Sequence, residues 1–249
     1  MPPRYQPEPQ YRISFGGPLT PAVKYLIIIN TAIYVLELVL LQAGDGAAGN
    51  WFLATFSLNP SQVFGQFAIW QVATYMFLHS PFSPFHLVFN MLGLWMFGSD
   101  LERVWGTPRF LRFYLLCGIG AGLLNCVFAF VVASTLGASG AIYGLVVGYA
   151  MLFPSRTILL MFVIPVSARA FALIFVGLSL LSVGALSVDG VAHFAHLGGA
   201  LTGYLMLRGG WNPMRWYDDL RWRIRRRRFK SIDQDQKRWT GRDRDFPFH

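Results

Sequence analysis

Six apolar runs divide most of this chain and constrain it more than any other feature. They lie at about Ala22–Leu41, Pro84–Ser99, Phe110–Ala133, Ser139–Phe153, Ala168–Ser187 and Val191–Leu207. A run of about 20 mostly apolar residues crosses the roughly 30 Å hydrocarbon layer as a helix. Helices and closed barrels are the forms that satisfy every backbone polar group there. Charged residues make up 13% of the chain, against about 25% in a soluble domain. The expected fold class is therefore all-α: a polytopic membrane protein built as a six-transmembrane-helix bundle. The fourth and sixth runs are short for spanning segments. The apolar stretch "ILLMFVIPV" before the fifth is broken by Pro165 and reads as a lead-in lying near the membrane surface.

Loop charges orient the bundle. Positive residues mark the cytoplasmic side. Between Gln42 and Ser83 there is no Lys or Arg, nor at Ser134–Ala138, nor around Asp189. The intervening loops carry Arg103, Arg109 and Arg112, then Arg156 and Arg169, then the arginine-rich tail. Every second loop is basic, which an odd helix count would break. Both termini are thus expected in the cytoplasm. No cleavable signal peptide is read, because "MPPRYQPEPQYR" is polar and the first apolar run starts only near Val23.

The expected domains are a cytoplasmic segment, 1–21, a membrane domain, 22–207, and a basic tail, 208–249. Within the membrane domain, the first outer loop, 43–83, holds Trp51, Phe52, Phe56, Phe64, Phe67, Trp70, Tyr75 and Phe77 with almost no charge. It is expected to lie partly in the membrane interface. From Arg208 onward there are 13 Lys/Arg and 6 Asp/Glu, so most of the net +9 belongs to the tail. Its first part alternates aromatics with arginines and suits anionic headgroups; the rest has a disordered composition. No folded basic face argues for nucleic acid. Cys117 and Cys126 would stand roughly 13 Å apart along one helix, too far for a disulfide, and read as buried apolar residues.

Polar groups inside spans are costly and default to function. They gather in three places: His86 with Asn90, Ser139, and His193 with His196. By the topology above, all lie toward the outer ends of their helices. Counting helical rise brings Ser139 and His196 to similar depth. A serine beside a histidine is the minimal acyl-transfer pair: the imidazole takes the hydroxyl proton as oxygen attacks a carbonyl, then returns it to the leaving group. The turn "LGASGAIYGL" around Ser139 would line a wet cavity open to the outside. At a helix start, the Ser139 N–H is available to a developing oxyanion. His86 and Asn90, four apart on one face, could donate to the same oxygen.

Gly140, Gly144 and Gly148 form one small-residue stripe, and Gly199 and Gly203 another. Such stripes let helices approach closely, which would bring His196 to Ser139. Tyr143, one turn on from Ser139, could stack on the imidazole. His193 could be the base instead, but His196 fits the glycine stripe better. His79 reads as structural. A metal site using His79, His86, His193 and His196 is disfavoured: Asp189 is the only carboxylate near, and no His-Glu-x-x-His spacing occurs.

Taken together, these residues resemble the rhomboid family of intramembrane serine proteases. "GASG" at Gly137–Gly140 is similar to the family's Gly-x-Ser-Gly nucleophile motif, and "AHLGGALTG" at Ala195–Gly203 to its Ala-His-x-x-Gly-x-x-x-Gly helix. "HLVFNM" at His86–Met91 resembles its histidine-and-asparagine element, and "GSDLERVWG" at Gly98–Gly106 the turn in which Glu102 and Arg103 are structural. The chain has Trp70-Gln71 where the family's first loop often has Trp-Arg.

The resemblance implies a Ser139–His196 dyad without an acidic third member, Tyr143 packed on the base, and an oxyanion pocket from His86, Asn90 and the Ser139 amide. It also implies a lateral opening near the fifth helix and a cap over the fifth loop. The substrates would be transmembrane proteins, cut in or near a membrane span without metal or cofactor. The setting would be the bacterial cytoplasmic membrane. The alternative from another class is a proteolytically inactive rhomboid-like protein that binds membrane helices; such a relative should lack the serine or the histidine.

Overall fold

The computed structural model describes residues 17–128, 134–160, 163–184 and 193–208. The expectations for the first 16 residues, for the basic tail beyond 208 and for the loop around Asp189 lie outside them. So do the ends drawn for three apolar runs at 129–133, 185–187 and 191–192.

Most of the described chain is helical. Helix α1, Pro21–Gln42, begins with proline at its first position, where the missing N–H costs nothing. It and α7, Thr107–Phe128, have 22 residues each and are long and apolar enough to cross a membrane. Between them the first loop folds into short helices: α2, Ala47–Phe56, α3, Pro60–Gly65, and α4, Gln71–Thr74, followed by a tight turn at Tyr75–Phe77. Helix α5, Pro84–Gly93, runs through a π-helical turn, Leu94–Gly98, into α6, Ser99–Trp105. Helix α8, Ser139–Leu152, packs closely on α7, where Phe110, Phe113, Tyr114, Cys117 and Ala121 are fully buried. Cys117 and Cys126 are both buried free thiols.

The segment expected as a lead-in near the membrane surface holds two paired β-strands in its described residues. Strand β1, Thr157–Leu160, pairs antiparallel with β2, Ile164–Ser167, in the register Ile158↔Val166 and Leu159↔Pro165. In a two-stranded pair Pro165 can stand at a position where no ladder N–H is needed. The neighbouring Ile and Val suit a pleated surface. Two helices complete the described chain, α9, Ala168–Gly184, and α10, His193–Arg208.

The loop-one interior is organised by Gln71, which is 1% exposed. Its carboxamide donates to the carbonyls of Ala54 and Thr55 and to Gln62 Oε1, and accepts from Asn59 N–H at 2.9 Å. Trp70 Nε1 donates to the Thr55 carbonyl at 2.9 Å. Gln71 thus ties the loop together with a neutral side chain at the place where the resemblance leads one to expect arginine. Around this interior, Trp51, Phe64, Phe67 and Phe82 point outward, an apolar surface that water does not favour.

At the other end of α8 a polar cluster joins helices. Asp100 is ion-paired with Arg103 and with Arg156, whose guanidinium lies 4.2 Å above the Phe153 ring. Beside it, Glu102 caps α1 from a distance: Oε1 accepts from Ala22 N–H at 3.0 Å and from the Thr107 hydroxyl at 2.6 Å, and Oε2 from Val23 N–H at 3.1 Å. These are first-turn N–H groups with no partner inside their own helix.

Burial raises the Glu102 carboxyl, but these hydrogen bonds outweigh it and hold the group below its ordinary value. A carboxyl depressed in the folded state adds stability that is complete above its unfolded pKa. That stability is lost as pH falls through the depressed value. Glu102→Gln should therefore cost about 1–3 kcal/mol at neutral pH and flatten the acid side of the stability profile. Thermal midpoints in detergent, taken from neutral to acid pH, check this; an unchanged acid limb in the variant would contradict it.

Candidate active site

Ser139 is the first residue of α8, and the segment leading to it is pinned by loop one. Leu58 and Thr135 exchange a pair of backbone hydrogen bonds at 2.8 Å each, and Gly137 N–H donates to the Tyr75 carbonyl at 2.9 Å. Tyr75, itself 1% exposed, anchors that corner by donating from its hydroxyl to the Gly118 carbonyl at 2.8 Å. Gly137 has φ +122, and a Cβ there would stand 2.7 Å from His86 Cε1. Both the backbone conformation and the adjacent ring therefore require glycine.

The helix-to-helix contact that completes the pair is close to a backbone touch. A Cβ on Gly199 would lie 1.8 Å from the Gly140 carbonyl oxygen, and one on Gly203 2.9 Å from the Gly144 carbonyl. The two glycine stripes thus seat α10 on α8. This puts His196 Nε2 2.8 Å from Ser139 Oγ. The Tyr143 ring stacks on the imidazole at 4.3 Å between centroids and 5° between planes. Ser139 and His196 are both half-buried, neither sealed nor on an open face. His193 holds its ring edge-on to His196 at 6.1 Å, and it is His196 whose Nε2 lies at hydrogen-bond distance from the serine.

His86 packs its Nε2 edge against Gly137, 2.8 Å from where a Cβ would stand. Its Nδ1 accepts from Ser80 N–H at 3.3 Å. A neutral imidazole whose Nδ1 accepts carries its proton on Nε2, so a donor points toward the turn before Ser139. Asn90 is buried on the same helix and donates from Nδ2 to the His86 carbonyl at 2.7 Å. That bond uses one of its two amide hydrogens. His79 is fully buried beside His86, ring centroids 5.3 Å apart. Burial first, and His86 second, push it down to about 3, so it stays uncharged at neutral pH. Among the described residues no cluster of three or more His, Cys, Asp or Glu could hold a metal ion.

Two polar residues of the neighbourhood were not singled out from the sequence. Glu37 of α1 is fully buried, its carboxylate oxygens each 3.4 Å from the His79 backbone N–H. A carboxylate in an apolar run is a signal in its own right and would have found it. Ser179 of α9 is 3% exposed, and its hydroxyl donates to Tyr143 Oη at 3.0 Å. A serine in an apolar helix carries no comparable signal.

A helical scaffold with a serine at a helix start, bonded to a histidine from a glycine-seated helix, defines a class that sequence comparison then specifies. Residues 66–212 match the rhomboid domain family model. The chain is 29% identical over 184 residues to rhomboid protease GluP of Bacillus subtilis (strain 168), covering 74% of this chain and 34% of that protein. It is 31% identical over 193 residues to rhomboid protease GlpG of Yersinia pestis (strain Pestoides F), covering 78% of this chain and 63% of that protein. This chain belongs to the rhomboid family. It spans about a third of the length of the GluP relative and less than two thirds of the GlpG relative.

Proposed function

We propose that this chain is an intramembrane serine endopeptidase that hydrolyses peptide bonds in or near transmembrane segments of other membrane proteins. The 2.8 Å contact between Ser139 Oγ and His196 Nε2 carries the reading. In the proposed reaction Oγ attacks the scissile carbonyl as Nε2 takes its proton, and the carbonyl oxygen becomes an oxyanion. The Ser139 amide, the Nε2–H of His86 and the second amide hydrogen of Asn90 stabilise that charge. His196 then gives its proton to the leaving amine, leaving an acyl-serine. Water then attacks the acyl carbonyl as His196 takes its proton; the bond from the carbonyl carbon to Oγ breaks, that proton passes from His196 to Oγ, and the carboxylic acid product leaves. Tyr143 holds the imidazole plane throughout.

The same reading makes 22–207 a six-span membrane domain with both termini cytoplasmic. The site then faces the outer side of a bacterial cytoplasmic membrane, and loop one, 43–83, lies in the interface. The outward aromatics of that loop support its placement, and the arginines at the opposite end of α8 support the orientation. The tail, 208–249, rests on anionic lipid in this account. Substrate segments that unwind readily are preferred, because an extended backbone must reach Ser139.

A fluorophosphonate probe on the purified chain in detergent tests the chemistry. The wild type should label covalently, and His196→Ala should cut the labelling rate by at least about a hundredfold. A folded wild type that takes no label would sink the protease reading and favour the helix-binding, inactive relative.

A further inference from the structure

Ser179 stands between the two groups that govern the general base. Its Oγ donates to Tyr143 Oη at 3.0 Å and lies 3.5 Å from His196 Nδ1. Tyr143 is the ring stacked flat on that same imidazole. One hydroxyl, 3% exposed, therefore touches both the far nitrogen of the base and the residue that packs its face.

We propose that Ser179 is a positioning residue for the Ser139–His196 pair, an inference that rests on the protease reading above. For Nε2 to accept the Ser139 proton it must present its lone pair, so the single proton of the neutral ring must sit on Nδ1. That N–H needs an acceptor in a buried place. Ser179 supplies one: its own hydrogen is spent on Tyr143, so its lone pairs are left for Nδ1. Without it, Nδ1–H loses its acceptor and the opposite tautomer gains population. That tautomer turns Nε2 into a donor toward Ser139 and removes the base.

The 3.5 Å contact is long, as such contacts often are in a free site, where they tighten on forming a complex. A hydroxyl also suits this place better than a carboxylate. A buried charge on α9 would bear a desolvation penalty that a neutral oxygen avoids. Because Ser179 rides on α9 while Ser139 and Tyr143 ride on α8, the alignment of the base is tied to how α9 sits. Phe175 of α9 reinforces that seat, its ring 6.2 Å from that of Tyr143.

The test is fluorophosphonate inactivation of the full chain in detergent, resolved into the maximal rate and the probe affinity, with thermal midpoints alongside. Ser179→Ala should lower the maximal rate about tenfold and leave probe affinity unchanged. Ser179→Cys keeps the volume but is a poor acceptor, and should be as slow as the alanine variant. Ser179→Thr keeps the hydroxyl and should restore most of the rate.

A wild-type rate in Ser179→Ala overturns the assignment. So does a rate that follows volume, with Cys recovering it and Thr failing, because that is packing rather than tautomer control. Absence of labelling in the folded wild type is a separate result: it overturns the protease reading itself.

Discussion

Ser139→Ala should abolish proteolysis of membrane-protein substrates, lowering turnover by about a million-fold if the pair acts as a unit. The proposed reaction has one nucleophilic oxygen, and it lies 2.8 Å from the nitrogen that would activate it. Removing Oγ would leave the proposed oxyanion donors but no atom to form the acyl-enzyme. The fold should survive: the variant loses one half-buried hydrogen bond worth about 1 kcal/mol, and the segment before Ser139 stays pinned through Leu58 and Tyr75. Co-expression with single-span membrane proteins, wild type against variant, measures the cleavage, and a thermal midpoint in detergent confirms the fold. Cleavage by the variant at the wild-type rate would place the chemistry elsewhere.

Gly199→Val should damage both stability and activity. The added Cβ would meet the Gly140 carbonyl oxygen at 1.8 Å, and a backbone carbonyl cannot swing aside as a side-chain tip can. Helix α10 must then lift from α8. Overpacking typically costs 1–3 kcal/mol, and a backbone obstacle puts this substitution at about 3 kcal/mol or above. The shift also acts on catalysis, since Gly199 is three residues past His196. A misplacement of about 1 Å in a reacting group can cost about a hundredfold. Gly177→Ala is the matched control, because nothing lies within 4 Å of its Cβ position. Helix propensity alone should make that change neutral or mildly stabilising. The thermal midpoint and the fluorophosphonate labelling rate should both fall for Gly199→Val and hold for Gly177→Ala. Equal behaviour of the two variants would refute the seating argument.

Hydropathy was readable along the chain because burial in lipid demands long apolar runs. The helices α1 and α8 fall within a few residues of the runs read from sequence, and α7 starts within a few residues of its run. The strand pair was hidden, because "ILLMFVIPV" is short and apolar throughout, and such a run reads equally as helix or buried strand. Around the site, the glycine spacing identified faces that can touch, since helical periodicity is local. That spacing favoured His196 over His193; the close α8–α10 contact is what sets Nε2 of His196 against the serine.

What the sequence determined by itself is whatever is written in one dimension: apolar length, the alternation of basic and neutral loops, and residues three or four apart sharing a helix face. Tertiary structure alone decided the contacts between distant segments. Glu37 meets the His79 backbone 42 residues on, loop one pins the turn before Ser139, and Ser179 reaches His196 from α9. The physical reason is range. Hydropathy and helical period act between near neighbours in the chain, whereas a hydrogen bond depends on which faces of packed helices meet, and that follows only from the packing of all of them.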